Sequence, residues 1–351
     1  MHYLIQINKV KQSGIKNVDF ENLPLGRVFT DHMFICEYHD GKWQNPRIQP
    51  LEAQPTHPAA MSLHYGQAIF EGMKVMPDEN GNPLLFRPYE NARRLNNSAR
   101  RLGMPEFPED LFVQGLKELV KIEKDWVPKS ESSSLYIRPF MYADEPFIGM
   151  RAASSYKFII FASPSGKFYN KPIKLFAETK YIRAANGGTG ETKAAGNYAA
   201  AISPTEIAKS KGYDQILWLD AVNFEYVQEV GTMNIFFKIG DSILTPNLGG
   251  AVLAGVTRAS LIQILKDEGY KVEERPISIH EIIEAEKNGT LLEVFGCGTY
   301  VGIAVVEEIA YKDQHIKLPE QYPLATFLNK KLNDIRTLHV PDKYGWIVEV
   351  E

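Results

Sequence analysis

The sequence predicts two domains of α+β or α/β type rather than one doubly wound sheet. Three observations carry this. The chain has 351 residues, more than one ordinary domain uses. Strand and helix patterns alternate only loosely and are interrupted by hairpin signals. A segment rich in turn formers, SPSGKFYNKP (163–172), separates two strand-like runs. The expected division is a first domain over 1–165, a connecting loop over 166–174 and a second domain over 175–351. No internal repeat is visible.

Each element has a local reason. VFTDHMFICEY (28–38) reads as a strand closed by an Asp40-Gly41 turn. SLHYGQAIFEGMKVM (62–76) reads as a helical turn leading into a strand, DENGN (78–82) as a hairpin turn and PLLF (83–86) as the returning strand. Residues 89–102 follow a helical pattern ended by Gly103 and Pro105. Leu111, Phe112, Leu116, Leu119, Val120 and Ile122 recur at helical spacing over 109–124. Residues 134–143 and 156–163 are strands. Beyond the connection come the strand 174–184, a helix around 205–211, and the strands QILWLD and TMNIFFKI. Amphipathic helices follow over 256–269 and 279–289, then the strand LLEVF (291–295) and a last helix over 324–338.

Composition bounds the function. Hydrophobic residues make up 44% and charged residues 23%, a globular balance. The net charge of −4 gives no reason to expect nucleic acid or an anionic membrane as partner. The first residues, MHYLIQINKVKQSG, lack the apolar core of a signal peptide, and no run is long enough to span a bilayer. Cys36 and Cys297 lie far apart, and the eight histidines are scattered without a ligand-like spacing, so no metal is expected and a reduced, cytoplasmic setting is.

The most informative string is GGTGETKAAGNY (187–198), which sets Lys193 among glycines and small residues. Glycines let a backbone turn tightly and approach a flat or phosphorylated ligand. The string is not a P-loop, because Thr192 precedes the lysine and Ala194 follows it. Two readings of the string itself stay open: a glycine-rich turn with a solvated lysine, and an amine offered to an aldehyde as a Schiff base. The aldehyde cofactor that uses such an amine is pyridoxal 5′-phosphate.

That cofactor needs an amine, an anion against its pyridine nitrogen, donors for its phosphate and a shaped pocket. Val256 and Thr257, directly after Gly255, open a helix whose first N–H groups could bind an anion, although an ordinary helix start reads the same. Arg94 shares its helix with Arg93, Arg100 and Arg101, and pattern alone does not single it out. Glu229 stands at a strand entry, where a surface glutamate is the commoner reading. GCGTYVG (296–302) departs from the dinucleotide fingerprint in spacing and is followed by a strand rather than a helix, so it reads as a tight turn.

Taken in order, LHYGQAIFEGMK (63–74), FRPYENARRL (86–95), LYIRPF (135–140), GGTGETKAAGNY, QEVGTMNIF (228–236), GVTR (255–258) and EVFGCGT (293–299) closely resemble the branched-chain amino acid aminotransferases, which are pyridoxal-phosphate-dependent class IV aminotransferases of fold type IV. The likeness runs from about Phe29 to the C-terminal helix. It implies a smaller N-terminal α/β domain, a larger C-terminal domain with a barrel-like sheet, and a homodimer with its active site at the interface. It also implies roles by position. Lys193 matches the Schiff-base lysine, Glu229 the partner of the pyridine nitrogen and Tyr198 the donor to the ring's phenolic oxygen. Arg94, Val256, Thr257 and Thr299 match the phosphate cup, and Thr232 lies beside the ring. Phe29, Phe70 and Tyr136 match an apolar wall, and Tyr65 a residue reaching across from the partner subunit. Arg138 matches the receiver of the glutamate γ-carboxylate, and the Tyr300 N–H the receiver of the α-carboxylate. The implied reaction is reversible transamination of leucine, isoleucine and valine with 2-oxoglutarate. The rivals within the same fold are a D-amino acid aminotransferase and an aminodeoxychorismate lyase.

The chain departs from the family pattern at three places. Asn186 and Ala254 stand where proline is usual, and Tyr300 where a small residue is expected. Val301 and Ala304 stand near the positions of the paired cysteines of some family members, so no thiol switch of that kind is expected.

Overall fold

Alternating burial along one long strand organises the first part of the chain. In Ser134–Ala143 the side chains of Leu135, Ile137, Pro139, Met141 and Ala143 are buried, while Tyr136, Arg138, Phe140 and Tyr142 on the other face are half-buried. The computed structural model describes residues 3–24, 26–130 and 133–350. It divides into two units. The first comprises 1–168, 192–195 and 334–351, and the second comprises 169–191 and 196–333.

The first unit contains strands β1 (Gln6–Ile7), β2 (His32–His39), β3 (Lys42–Pro50), β4 (Ala68–Phe70), β5 (Met73–Pro77), β6 (Pro83–Phe86), β7 (Ser134–Ala143) and β8 (Tyr156–Ser165). They form one sheet in the order β1-β3-β2-β8-β7-β5-β6, closed by the C-terminal strand Ile347–Glu349, with β4 also paired to β7. Apart from the parallel β1–β3 pair, the neighbours run antiparallel. Helices α1 (Met61–Tyr65), α2 (Pro88–Arg101) and α3 (Glu109–Ile122) complete the unit. Leu95 and Ala99 of α2 and Leu111, Phe112, Leu116 and Leu119 of α3 join Phe34, Ile137 and Phe158 of the sheet in one buried cluster. Phe107 stacks on Phe158 with ring centroids 3.9 Å apart.

The second unit contains β9 (Ile173–Ala177), β10 (Gln215–Leu219), β11 (Val227–Val230), β12 (Asn234–Ile239), β13 (Ser242–Thr245), β14 (Lys271–Glu274), β15 (Leu291–Gly298), β16 (Gly302–Tyr311) and β17 (Gln314–Lys317). The order is β11-β10-β9-β16-β15-β12-β13-β14, with β17 on β16. β11 heads this path, yet a tight turn leads it straight into β12. The Val230 N–H donates to the Met233 carbonyl at 2.9 Å and the Met233 N–H donates back at 2.8 Å. A sheet whose first strand returns to its sixth is curled, and this gives the half-barrel. Helices α4 (Ala195–Ser210), α5 (Val256–Asp267), α6 (Ile279–Lys287) and α7 (Pro323–Arg336) accompany it, although the last three residues of α7 belong to the first unit. Ile279, Ile282 and Ile283 of α6 pack on Leu217, Ile235, Phe237 and Val294.

Five of the expected helices match within two residues at either end, the scatter ordinary fraying gives. The sixth differs. The helix expected at 205–211 spans Ala195–Ser210 and begins two residues after Lys193. Gly196, Asn197 and Pro204 concealed its first turns, because all three are poor helix formers. The strand expected from 28 starts at His32, since the Asp31 carboxylate accepts hydrogen bonds from Ser13, Gly14 and Trp126 at a bend in the chain. β8 runs to Ser165, three residues into the turn-rich segment, paired along β7. β3 was concealed by Asn45, Pro46 and Pro50; Asn45 takes φ 52°, and the register with β2 shifts opposite it.

α3 approaches β2 closely at Gly115, where an added Cβ would lie 2.7 Å from the Phe34 ring. Gly115→Ala should therefore destabilise the protein by about 1–3 kcal/mol, seen as a lower urea midpoint with an unchanged slope.

Candidate active site

The first unit holds Lys193 and six of the other expected residues. Lys193 lies on the segment between the glycine loop and α4, but its backbone belongs to the sheet side. The Phe70 N–H donates to the Lys193 carbonyl at 3.0 Å, the Lys193 N–H donates to Ser98 Oγ at 3.0 Å, and Ile69 bridges Ala194. The lysine side chain is half-buried, with Nζ 4.9 Å from the Phe70 ring centroid. The Arg138 guanidinium carbon lies 4.6 Å from the same centroid. Period-two alternation puts Tyr136 and Arg138 on one face of β7, and Arg138 Nη2 donates to the Tyr136 hydroxyl at 3.0 Å. The buried Arg138 Nε lacks a hydrogen-bond partner. Gly72 lets this hydroxyl pass, since a Cβ there would collide with it. Phe29 meets Phe161 edge-on with centroids 5.7 Å apart and is itself 42% exposed. Tyr65, at the end of α1, is 39% exposed.

Arg94 is buried on α2, unlike its neighbour Arg93, whose side chain is 52% exposed. Its Nε and Nη2 donate to the two carboxylate oxygens of Glu71 at 2.8 and 2.7 Å.

The second unit holds the other expected residues. Glu229 is buried at the end of β11, and its Oε1 accepts from the Leu253 N–H at 2.7 Å. Oε2 lies 3.4 Å from Arg183 Nε. Arg183 also donates to the carbonyls of Gly190 and Ala251, which ties the glycine loop to the segment before α5. Asn197 of α4 clasps the same loop, its amide donating to the Thr189 carbonyl at 2.8 Å. Tyr198 is half-buried on α4, and Thr232 is exposed in the tight turn after β11. Val256 and Thr257 form the buried first turn of α5, and its cap residue Gly255 brings no side chain to those N–H groups. Thr299 and Tyr300 sit in the turn between β15 and β16, where Gly298 pairs with Gly302. The string 296–302 is therefore a hairpin, as its spacing suggested.

These residues suit a phosphorylated aldehyde cofactor. A buried carboxylate, a buried arginine and a helix start left to its backbone donors serve a ring nitrogen and a phosphate in the ordinary way. Among the described residues, no group of three or more His, Cys, Asp or Glu could hold a metal ion.

Sequence reasoning missed Glu71, Arg183 and Lys74. Glu71 and Arg183 are single charged residues whose partners are distant in sequence, and Lys74 is an amine buried by distant chain, so no local pattern marks any of them. Lys74 pairs with Tyr136 across β5 and β7, which puts it on the Arg138 face. Among the described residues no ion pair links its ammonium to a carboxylate.

The amino-transferase class IV family model matches residues 68–309. Branched-chain-amino-acid aminotransferase 2 of Bacillus subtilis (strain 168) is 46% identical over 338 residues, covering 95% of this chain and 93% of the relative. The branched-chain-amino-acid aminotransferase of Mycolicibacterium smegmatis is 38% identical over 352 residues, covering 97% and 94%. Among solved structures, the branched-chain aminotransferase from Thermoproteus uzoniensis with norvaline superimposes with a TM-score of 0.75 at 23% identity, covering 91% of this chain and 100% of that one. A T.th. branched-chain amino acid aminotransferase complexed with N-(5′-phosphopyridoxyl)-L-glutamate gives 0.73 at 25% identity, covering 90% and 98%.

Burial, and next the charge of Arg336, lower the Lys74 pKa from 10.5 to about 7. Between these values the unfolded chain binds a proton that the folded chain does not, so stability falls as pH drops from about 10.5 to about 7 and levels off below. Lys74→Met should gain stability on the order of a few kcal/mol at pH 6, shrinking toward pH 10. Urea titrations across that range check it.

Proposed function

The chain belongs to the class IV aminotransferases, and within them to the branched-chain amino acid aminotransferases, and from that premise we propose how its residues divide the work. The reaction is reversible amino-group transfer between leucine, isoleucine or valine and 2-oxoglutarate. The cofactor, pyridoxal 5′-phosphate, supplies an electron sink for the substrate's α-carbon when bound.

Lys193 would hold the cofactor's aldehyde end, and its Nζ is the group that would carry the proton of the substrate α-carbon. The observation behind this is the shared ring: the Lys193 amine and the Arg138 guanidinium lie 4.9 and 4.6 Å from the centroid of Phe70. One apolar side chain thus borders both a proton carrier and a carboxylate receiver. Phe29, Phe70 and Tyr136 give an aliphatic chain its wall. Arg138 takes the second carboxylate of glutamate; the hydroxyl of Tyr136 holds its guanidinium when an aliphatic substrate is present instead.

Glu229 would pair with the pyridine nitrogen and Tyr198 would donate to the phenolic oxygen, with Thr232 as a further residue holding the cofactor. Arg94, Val256, Thr257 and Thr299 take the phosphate. The N–H of Tyr300 takes the substrate α-carboxylate, a role that survives the change of side chain because the backbone performs it.

The working form is a homodimer, with Tyr65 completing the site of the other subunit. In its support, the segments around α1 and 145–150 are joined by the Ala60–Pro146 bridge and by Phe147 N–H donation to Ala59. They carry the exposed apolar side chains of Leu63, Ile148 and Met150. The two-domain division with its connection at 166–174 is part of the same reading. So is a cytoplasmic location, which two buried cysteines outside any disulfide suit. Among the described residues, no helix is long and apolar enough to cross a membrane.

Lys193→Ala should lower glutamate formation from leucine and 2-oxoglutarate by roughly 10⁴-fold, and borohydride should fix the cofactor to residue 193 of the unaltered protein. A label on another residue would remove the assignment. Arg138→Met should lower kcat/KM for glutamate about 10²-fold and that for leucine far less; equal losses would exclude Arg138 as the γ-carboxylate receiver.

A further inference from the structure

Glu71 has no solvent exposure at all, yet it is a carboxylate. Burying such a charge is unfavourable unless it is paired and hydrogen-bonded. Here both needs are met by few groups. Its two oxygens accept from Arg94 Nε and Nη2 at 2.8 and 2.7 Å, and the Asn91 amide donates to Oε2 at 2.8 Å. The Gly72 N–H approaches the same oxygen at 3.3 Å. The Glu71 backbone is fixed as well, its N–H donating to the Pro139 carbonyl of β7 at 2.7 Å. Asn91 and Arg94 are three apart on α2 and so share a face of that helix. Glu71 lies between β4 and β5, so the sheet sets the plane in which the guanidinium lies.

We propose that Glu71, steadied by Asn91, is a positioning residue for phosphate recognition. It grips the Nε/Nη2 edge of Arg94 and so fixes the direction in which the rest of the guanidinium meets a phosphate group. The inference rests on the reading of Arg94 as a phosphate residue. An arginine side chain has many rotamers, and holding it in one arrangement before the ligand arrives removes an ordering cost from binding. A bidentate carboxylate is well suited to this because it fixes both direction and plane. The pair is neutral overall, so its contribution is geometric more than one of net charge.

A merely structural pair would stitch α2 to the sheet and affect every ligand alike. Holoenzyme stripped of cofactor by dialysis is titrated with pyridoxal 5′-phosphate and with pyridoxal, which lacks the phosphate. Glu71→Gln should raise the Kd for the phosphorylated ligand about 10- to 100-fold and leave that for pyridoxal within about twofold. Asn91→Ala, which keeps the charge pair, should shift the same preference in the same direction by a smaller factor and serves if Glu71→Gln does not fold. Equal losses for both ligands, or no loss for either, would overturn the role. Arg94→Lys separates premise from inference. If it leaves the preference for the phosphorylated ligand intact, Arg94 is not the phosphate residue and Glu71 falls with it. If it abolishes the preference while Glu71→Gln and Asn91→Ala do not, the role of Glu71 alone is excluded.

Discussion

The hydrogen bond from the Phe70 N–H to the Lys193 carbonyl is the constraint on which the site of the first unit depends. Lys193 is flanked on both sides by chain that belongs to the second unit, yet residues 192–195 belong to the first. The sheet captures them through that bond, the Ser98 hydroxyl and the Ile69–Ala194 bridge. The same β4 strand carries Phe70 opposite β7, where Tyr136 and Arg138 stand. The Lys193 amine, the Phe70 ring and the Arg138 guanidinium are thereby referenced to one sheet. Catalytic geometry is sensitive to displacements of about an ångström, and a sheet holds position better than a loop.

The second unit is arranged on a similar principle, with an arginine as the fastening. Arg183 reaches the carbonyls of Gly190 and Ala251 while its Nε faces Glu229. Gly190 has no room for a side chain, because a Cβ would collide with Ala184 and with the backbone at Ala251. The glycines of the lysine string thus serve close packing of two loops as much as flexibility. Asn186 and Ala254 flank this fastened region.

Much of this was legible in the sequence, for definable reasons. Lys193 stood out because glycine and small residues cluster around it, and helices with strong apolar spacing were placed to within a turn. α4 was partly hidden because its glycine, asparagine and proline speak against helix locally, and tertiary packing overrides them. Arg94 could be chosen over Arg93 only by likeness to a family; burial separates them once α2 is packed. Glu71 was illegible for a different reason. A glutamate twenty-three positions from its arginine carries no local signature, and its meaning arises from a contact between a strand end and a helix. Arg183 shares that property.

The interleaving of the chain has a practical meaning for enzyme engineering by recombination. A hybrid that joins the front of this protein to the back of a relative at the 168/169 boundary would take residues 192–195 and 334–351 from the wrong parent. Its first body would then receive a foreign lysine segment and a foreign closing strand for β6. Parental blocks should instead follow the three-part body, with the short lysine segment inherited together with the sheet that grips it.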